Sequence, residues 1–117
     1  VAAKELMLVF VGGGTGSVLR FILSRLLPFS IFPASTFLSN VLAAIVMALF
    51  LRLNESNDTA RVLLLTGFCG GLSTFSTFSY ESVQLLKTGH HILFLFNITM
   101  SLLICMGILW LMWKTRI

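Results

Sequence analysis

Charge is what this sequence has least of. Lysine, arginine, aspartate and glutamate make up 10% of its 117 residues, against about 25% in an ordinary soluble domain. With 57% hydrophobic residues and a mean hydropathy of +1.01, the chain is not a water-soluble globule. Eight basic residues face four acids, a net charge of +4, but they are scattered between hydrophobic runs and form no patch. Such scatter argues against a nucleic-acid surface and reads as the topology signal of a membrane protein. Cysteine is scarce too: Cys69 and Cys105 lie inside apolar runs without a CxxC or Cys/His spacing, and read as buried thiols used as small packing residues.

Catalytic equipment is also missing. There is no paired carboxylate, no HExxH and no Ser/His/Asp arrangement, and a serine without an oriented base is a poor nucleophile. His90 and His91 are neighbours in a short polar loop and point to different sides if extended, which disfavours a metal contact. Gly12, Gly13, Gly14 and Gly16 imitate a nucleotide loop, but no strand precedes them and no spaced acid follows. The Asn-x-Ser/Thr patterns at Asn54, Asn57 and Asn97 are short enough to arise by chance. An enzyme is not expected.

What the chain does have is four apolar runs, at about 6–27, 34–53, 62–86 and 92–113. A membrane-spanning helix takes roughly 20 apolar residues, so residues 1–117 are expected to form a single four-helix, all-α integral membrane domain. The first run, flanked by Lys4 and Glu5, imitates a signal peptide, but Arg20 and Arg25 inside it predict a retained span. With four spans, Lys4, Arg52, Arg61, Lys114 and Arg116 share one side and Arg25 and Lys87 the other, with Arg20 somewhat deeper. This is a modest positive-inside bias that does not exclude insertion in both orientations. Trp110 and Trp113, close to Lys114, suit the interfacial belt. Four helices bury only a thin core, so an oligomer is expected.

Polar residues inside the spans are the candidate functional groups. Gly12 and Gly16 form a GxxxG pair, and Gly13 with Ser17 continues a ridge of small residues. Such a ridge permits close helix approach, within the chain or between subunits. In the third run Gly70-Gly71 weakens the helix and is followed by Ser73, Thr74, Ser76, Thr77 and Ser79. A helix broken at Gly70-Gly71 and lining a cavity is expected, because lipid cannot satisfy freed backbone groups. Asn40, the Ser/Thr series, and Asn97 with Ser101 lie on three different runs and together offer a polar track of uncharged hydrogen-bond donors, which suits a partly dehydrated anion. Phe75 and Phe78, three apart, share a helix face, and the positive edges of their rings could add to that environment. Arg20 reads either as a snorkelling side chain or as a cation at an aqueous vestibule. Glu81, the one acid inside a span, needs a partner, for which Arg20 and a Ser/Thr hydroxyl are both candidates.

The string Gly67-Phe68-Cys69-Gly70-Gly71-Leu72-Ser73-Thr74-Phe75-Ser76-Thr77-Phe78-Ser79-Tyr80-Glu81 resembles the signature of the Fluc (CrcB) fluoride channels. Gly12-Gly13 to Arg20, and Thr36-Phe37-Leu38-Ser39-Asn40, resemble that family's other two motifs. The resemblance runs through all four spans in order and is loosest in the fourth. It implies an antiparallel dual-topology homodimer with two fluoride pores along the subunit interface and a structural, untransported sodium ion on the two-fold axis. By motif, the backbone carbonyls of Gly70 and Ser73 from both subunits would hold sodium. Phe75 and Phe78 would be the pore-facing aromatic pair, and Asn40 a pore-lining donor. Ser76, Thr77 and Ser101 would be pore-side hydroxyls, Arg20 a vestibule residue and Glu81 a structural polar group. The implied role is passive export of fluoride, trapped in the cell as the anion, across a prokaryotic cell (inner) membrane, with fluoride, lipid and a second copy as partners and no nucleic acid. The alternative is a small multidrug-type four-helix transporter. Such proteins place an acid in the first span, where this chain has Arg20 and no acid after Glu5.

Overall fold

The structure, a computed structural model, describes residues 1–53 and 56–115. Arg116 and Asn54, named above for the charge bias and for an Asn-x-Ser pattern, lie outside the described residues. Helices α1 (Ala3–Leu26) and α2 (Ala34–Leu53) are followed by a short α3 (Asp58–Arg61), a π-helical stretch (Val62–Cys69), α4 (Gly70–Leu72), α5 (Phe75–Lys87) and α6 (His91–Lys114). Four stretches are long and apolar enough to cross a membrane: Ala3–Leu26, Ala34–Leu53, Asp58–Lys87 and His91–Lys114. The chain is therefore a multi-pass, all-helical membrane protein, and each span contains the apolar run predicted for it to within a residue at either end.

The turns follow local chemistry. Asn57 caps α3, its side chain accepting the Ala60 N–H at 3.0 Å. Between α5 and α6 the Gly89 N–H reaches the Leu86 carbonyl and the His90 N–H the Leu85 carbonyl, at 3.2 and 2.9 Å, the bond pattern that closes a helix through a left-handed residue. Gly89 supplies that residue with φ +82°.

The closest packing is between α1 and the third span. A Cβ placed on Gly16 would lie 2.7 Å from the Leu72 nitrogen, and one on Gly12 2.9 Å from the Phe68 nitrogen. From the other side, a Cβ on Gly71 would meet the Gly13 Cα at 2.9 Å. The GxxxG pair Gly12/Gly16 thus works within the chain, facing a second pair of the same spacing, Gly67 and Gly71. Absence of side chains on both surfaces is what lets the backbones meet. The small apolar core of Ala43, Cys69 and Leu72 lies between α2 and the third span, with Leu19 and Phe68 packed against it.

The position of the interruption corrects the sequence expectation. Gly70 and Gly71 are helical, and helical dihedrals end after Leu72. Ser73 (φ −80°, ψ 154°) and Thr74 (φ −149°, ψ 120°) are extended before α5 begins. Gly71 serves the contact with α1, and packing there holds it in the helix. The helix ends where polar side chains compete for its hydrogen bonds: the Ser73 hydroxyl donates to the Cys69 carbonyl at 2.7 Å, and the Thr74 N–H turns to Asn40.

Replacing Gly16 or Gly71 by valine should lower the unfolding temperature of the detergent-solubilised protein sharply, since overpacking costs at least about 1–3 kcal/mol even where neighbours can shift. Gly14→Ala, at an exposed glycine with nothing within 4 Å of its Cβ position, should leave it unchanged. Equal unfolding temperatures for Gly14→Ala and Gly16→Val would contradict the close approach.

Candidate functional site

Interrupting a helix frees backbone groups, and in this chain they are taken up one by one. Asn40 on α2 treats Thr74 as a strand neighbour would: its Oδ1 accepts the Thr74 N–H at 2.8 Å and its Nδ2 donates to the Thr74 carbonyl at 3.4 Å. The Gly71 carbonyl, whose helical donor would have been four residues on, accepts from Arg20 Nε at 3.0 Å and from the Ser17 hydroxyl at 3.4 Å. The Cys69 carbonyl takes both the N–H and the hydroxyl of Ser73, at 3.0 and 2.7 Å. Thr74 Oγ1 caps α5 by accepting the Thr77 N–H at 3.1 Å. Among the described residues, the carbonyls of Gly70 and Ser73 receive no hydrogen bond from another helix.

Next to the interruption lies an open groove of about 340 Å³ between α2, the third span and α6. Gly70, Ser73, Phe75, Phe78, Asn40 and Ser101 all line it, so residues chosen from three separate runs converge. The rings of Phe75 and Phe78 are 5.9 Å apart between centroids and tilted by 40°. Phe78 is buried at 8% exposure, whereas Phe75 projects from the chain at 75%.

The remaining candidates lie elsewhere. Thr77 and Glu81 line a second cavity of about 460 Å³, together with Tyr80, Gln84, Thr88 and His90 and the loop residues from Phe29 to Ile31. Ser76 is exposed, its hydroxyl 3.2 Å from that of Thr74. Arg20 lines neither cavity and is engaged with the Gly71 carbonyl, so it is not the partner of Glu81. The Glu81 Oε1 atom is buried without a partner among the described residues. His90 Nδ1 lies 2.9 Å from the Thr88 hydroxyl at the start of α6, and among the described residues no group of three or more histidine, cysteine, aspartate or glutamate side chains is placed to hold a metal ion.

Asn97 is buried at 1% exposure and joins helices. Its Nδ2 donates to the Ser82 hydroxyl at 3.0 Å, Ser82 donates to the Phe78 carbonyl at 2.7 Å, and the Ser101 hydroxyl approaches Asn97 Oδ1 at 3.5 Å. Ser82 and Ser17 were not singled out from the sequence for these contacts. Both bond to backbone carbonyls, a choice that a serine codon does not announce. Ser82 lies four residues after Phe78, the spacing at which a helical serine can return its proton to its own helix.

Four spanning helices, the third interrupted beside an open and largely apolar groove edged by Asn40, Ser73, Thr74 and Ser101, define the class: a small multi-pass, all-helical membrane protein. The chain belongs to the family described as CrcB-like protein, Camphor Resistance (CrcB), which it matches over residues 7–113. It is 45% identical over 106 residues to a protein of Pyrococcus furiosus, covering 86% of this chain and 85% of the other. It is also 47% identical over 92 residues to one of Phocaeicola vulgatus, covering 74% and 76%, and 38% identical over 108 residues to one of Methanococcus aeolicus, covering 88% and 87%. Each of these is named fluoride-specific ion channel FluC.

Asn40→Ala would strand both backbone groups of Thr74, and unsatisfied buried groups cost about 1–3 kcal/mol. The variant should unfold at a clearly lower temperature than the parent. Asn40→Asp, which keeps an acceptor for the Thr74 N–H, should lie between them. An Asn40→Ala protein as stable as the parent would remove the side chain from this backbone role.

Proposed function

We propose that this chain is a fluoride-selective ion channel that lets cytoplasmic fluoride leave passively and so protects against fluoride toxicity. Family membership and the naming of the relatives support this reading. The observation that carries it is the convergence of Asn40, Phe75, Phe78 and Ser101 on one open groove beside the interrupted span. A small anion entering a membrane must exchange water for neutral donors, since a fixed cation would bind it too tightly to release. Asn40 retains a second Nδ2 proton beyond its bond to Thr74, Ser101 brings a hydroxyl, and the two rings bring positive edges. Arg20, held beside the interruption by Gly71, adds positive potential at the mouth without entering the groove. Thr77, next to Phe78 on α5, lines the second cavity and continues the path, with exposed Ser76 beside it and Glu81 in the same cavity as a structural polar group.

The same reading calls for a second copy. Phe75 at 75% exposure is a pore ring only where another subunit covers it. An antiparallel dual-topology homodimer would provide that cover and two equivalent pores. A structural sodium ion fits the residues present: the Gly70 and Ser73 carbonyls are neutral, hard oxygens left without a donor from another helix among the described residues, the ligand type that alkali cations take. One chain supplies only these two, so the four expected oxygens require both subunits. Bound there, sodium would supply positive charge on the dimer axis, while the two chains align its ligands.

The deciding experiment is anion efflux from liposomes loaded with potassium fluoride, reconstituted with the protein and started by valinomycin, with chloride-loaded vesicles alongside. Fluoride release without chloride release is expected. Release of neither ion from a demonstrably folded protein would overturn the channel reading and favour a four-helix transporter. Phe75→Ile and Phe78→Ile should each depress fluoride flux at least about tenfold, a loss of roughly 1.4 kcal/mol or more in barrier terms, while leaving the oligomer intact in detergent. Undiminished flux in both would take the aromatic pair out of the path. Equilibrating the protein in a large organic cation in place of sodium should depress activity, and restoring sodium should recover it.

A further inference from the structure

Both cysteines of the chain, Cys69 on the π-helical stretch and Cys105 on α6, line the same groove, and so does Met47 of α2. Three helices therefore each place a sulfur-bearing residue in the lining of one cavity of about 340 Å³. Neither thiol hydrogen-bonds to a described residue, and no disulfide joins them. Cys69 is almost fully buried at 1% exposure, whereas Cys105 is half-buried. Cys105 lies one helical turn beyond Ser101, and Ser101 one turn beyond Asn97, so Cys105 extends the polar face of α6 into the groove. No carboxylate or imidazole lines this cavity. Besides the neutral oxygens of Asn40, Gly70, Ser73, Thr74 and Ser101, its lining offers two thiols and a thioether, a sulfur set that favours soft d¹⁰ cations.

We propose that Cys69, Cys105 and Met47 form a site for a soft thiophilic cation, such as mercury(II), silver(I) or copper(I), and that its occupation blocks the groove. With mercury(II), two S–H bonds break and two Hg–S bonds form. The two protons pass to water in the open groove, and no atom changes oxidation state. Met47 approaches as a neutral third ligand. The block depends on the channel reading above, because the metal stops permeation only if the groove is the path; binding itself does not depend on it.

The test uses mercury(II) on the purified full chain and has two separate readouts. Intact-mass spectrometry is expected to show one mercury per chain with the loss of two protons. Two mercury ions per chain, each on one thiol, would overturn the shared site without any variant having to fold. In fluoride-loaded liposomes, mercury should abolish flux, and a dithiol should restore it. Cys105→Ser and Cys69→Ala should each raise the half-blocking concentration, measured against that variant's own flux, by at least about tenfold, the loss seen when even an outer partner of a metal ligand is removed. A one-to-one adduct with flux undiminished would overturn the block. Absence of fluoride flux before mercury is added would instead count against the channel reading, with the mass measurement still deciding the metal site.

Discussion

The bonds that tie α1 to the interrupted span depend on two helices being allowed to touch backbone to backbone. In lipid there is no hydrophobic force to press helices together, so association rests on contact area and hydrogen bonds. Gly12 and Gly16 on one side, Gly67 and Gly71 on the other, remove the side chains that would hold α1 and the third span apart. Only at that separation do Ser17 and Arg20 reach the Gly71 carbonyl. The glycines thus set a distance, and that distance makes an interrupted helix tolerable at membrane depth.

The interruption itself is a matter of complete accounting. An extended pair of residues in the middle of a span should expose several donors and acceptors, each costly away from water. The side chain of Asn40 takes two, α1 takes another, and Ser73 and Thr74 serve their own neighbours, while among the described residues the carbonyls of Gly70 and Ser73 receive no donor from another helix. Those two carbonyls and the exposed ring of Phe75 belong to the same region of the third span, and the proposed dimer would satisfy both with one contact.

Hydropathy alone made the four spans legible, because about 20 apolar residues between charged or proline-bearing breaks admit few alternatives. Motif resemblance made the groove residues legible, and Gly70, Ser73, Phe75, Phe78, Asn40 and Ser101 do meet at one cavity. The place of the break was misjudged by a few residues. Paired glycines weaken a helix as isolated sequence, but packing against Gly13 outweighs that tendency, and the sequence does not show which neighbour a glycine will face. The partner of Glu81 could not be chosen beforehand, since Arg20 and a hydroxyl were both within plausible reach. Arg20 is drawn away by the free carbonyl at Gly71, which exists only once the break is placed. Asn97 read as part of a polar track with Ser101, and its bond to Ser82 also joins α5 to α6.

The two-point grip of Asn40 on Thr74 also bears on stiffness. A residue held through both its N–H and its carbonyl cannot swivel about its own peptide links without losing one bond, and Thr74 is further tied forward to Thr77 and sideways to Ser76. The segment that most resembles a joint is therefore splinted on each flank. Carriers that alternate between two faces of a membrane need such joints to flex. A splinted one gives a path of fixed shape, in which discrimination between solutes comes from the standing arrangement of donors and rings and not from a change of posture.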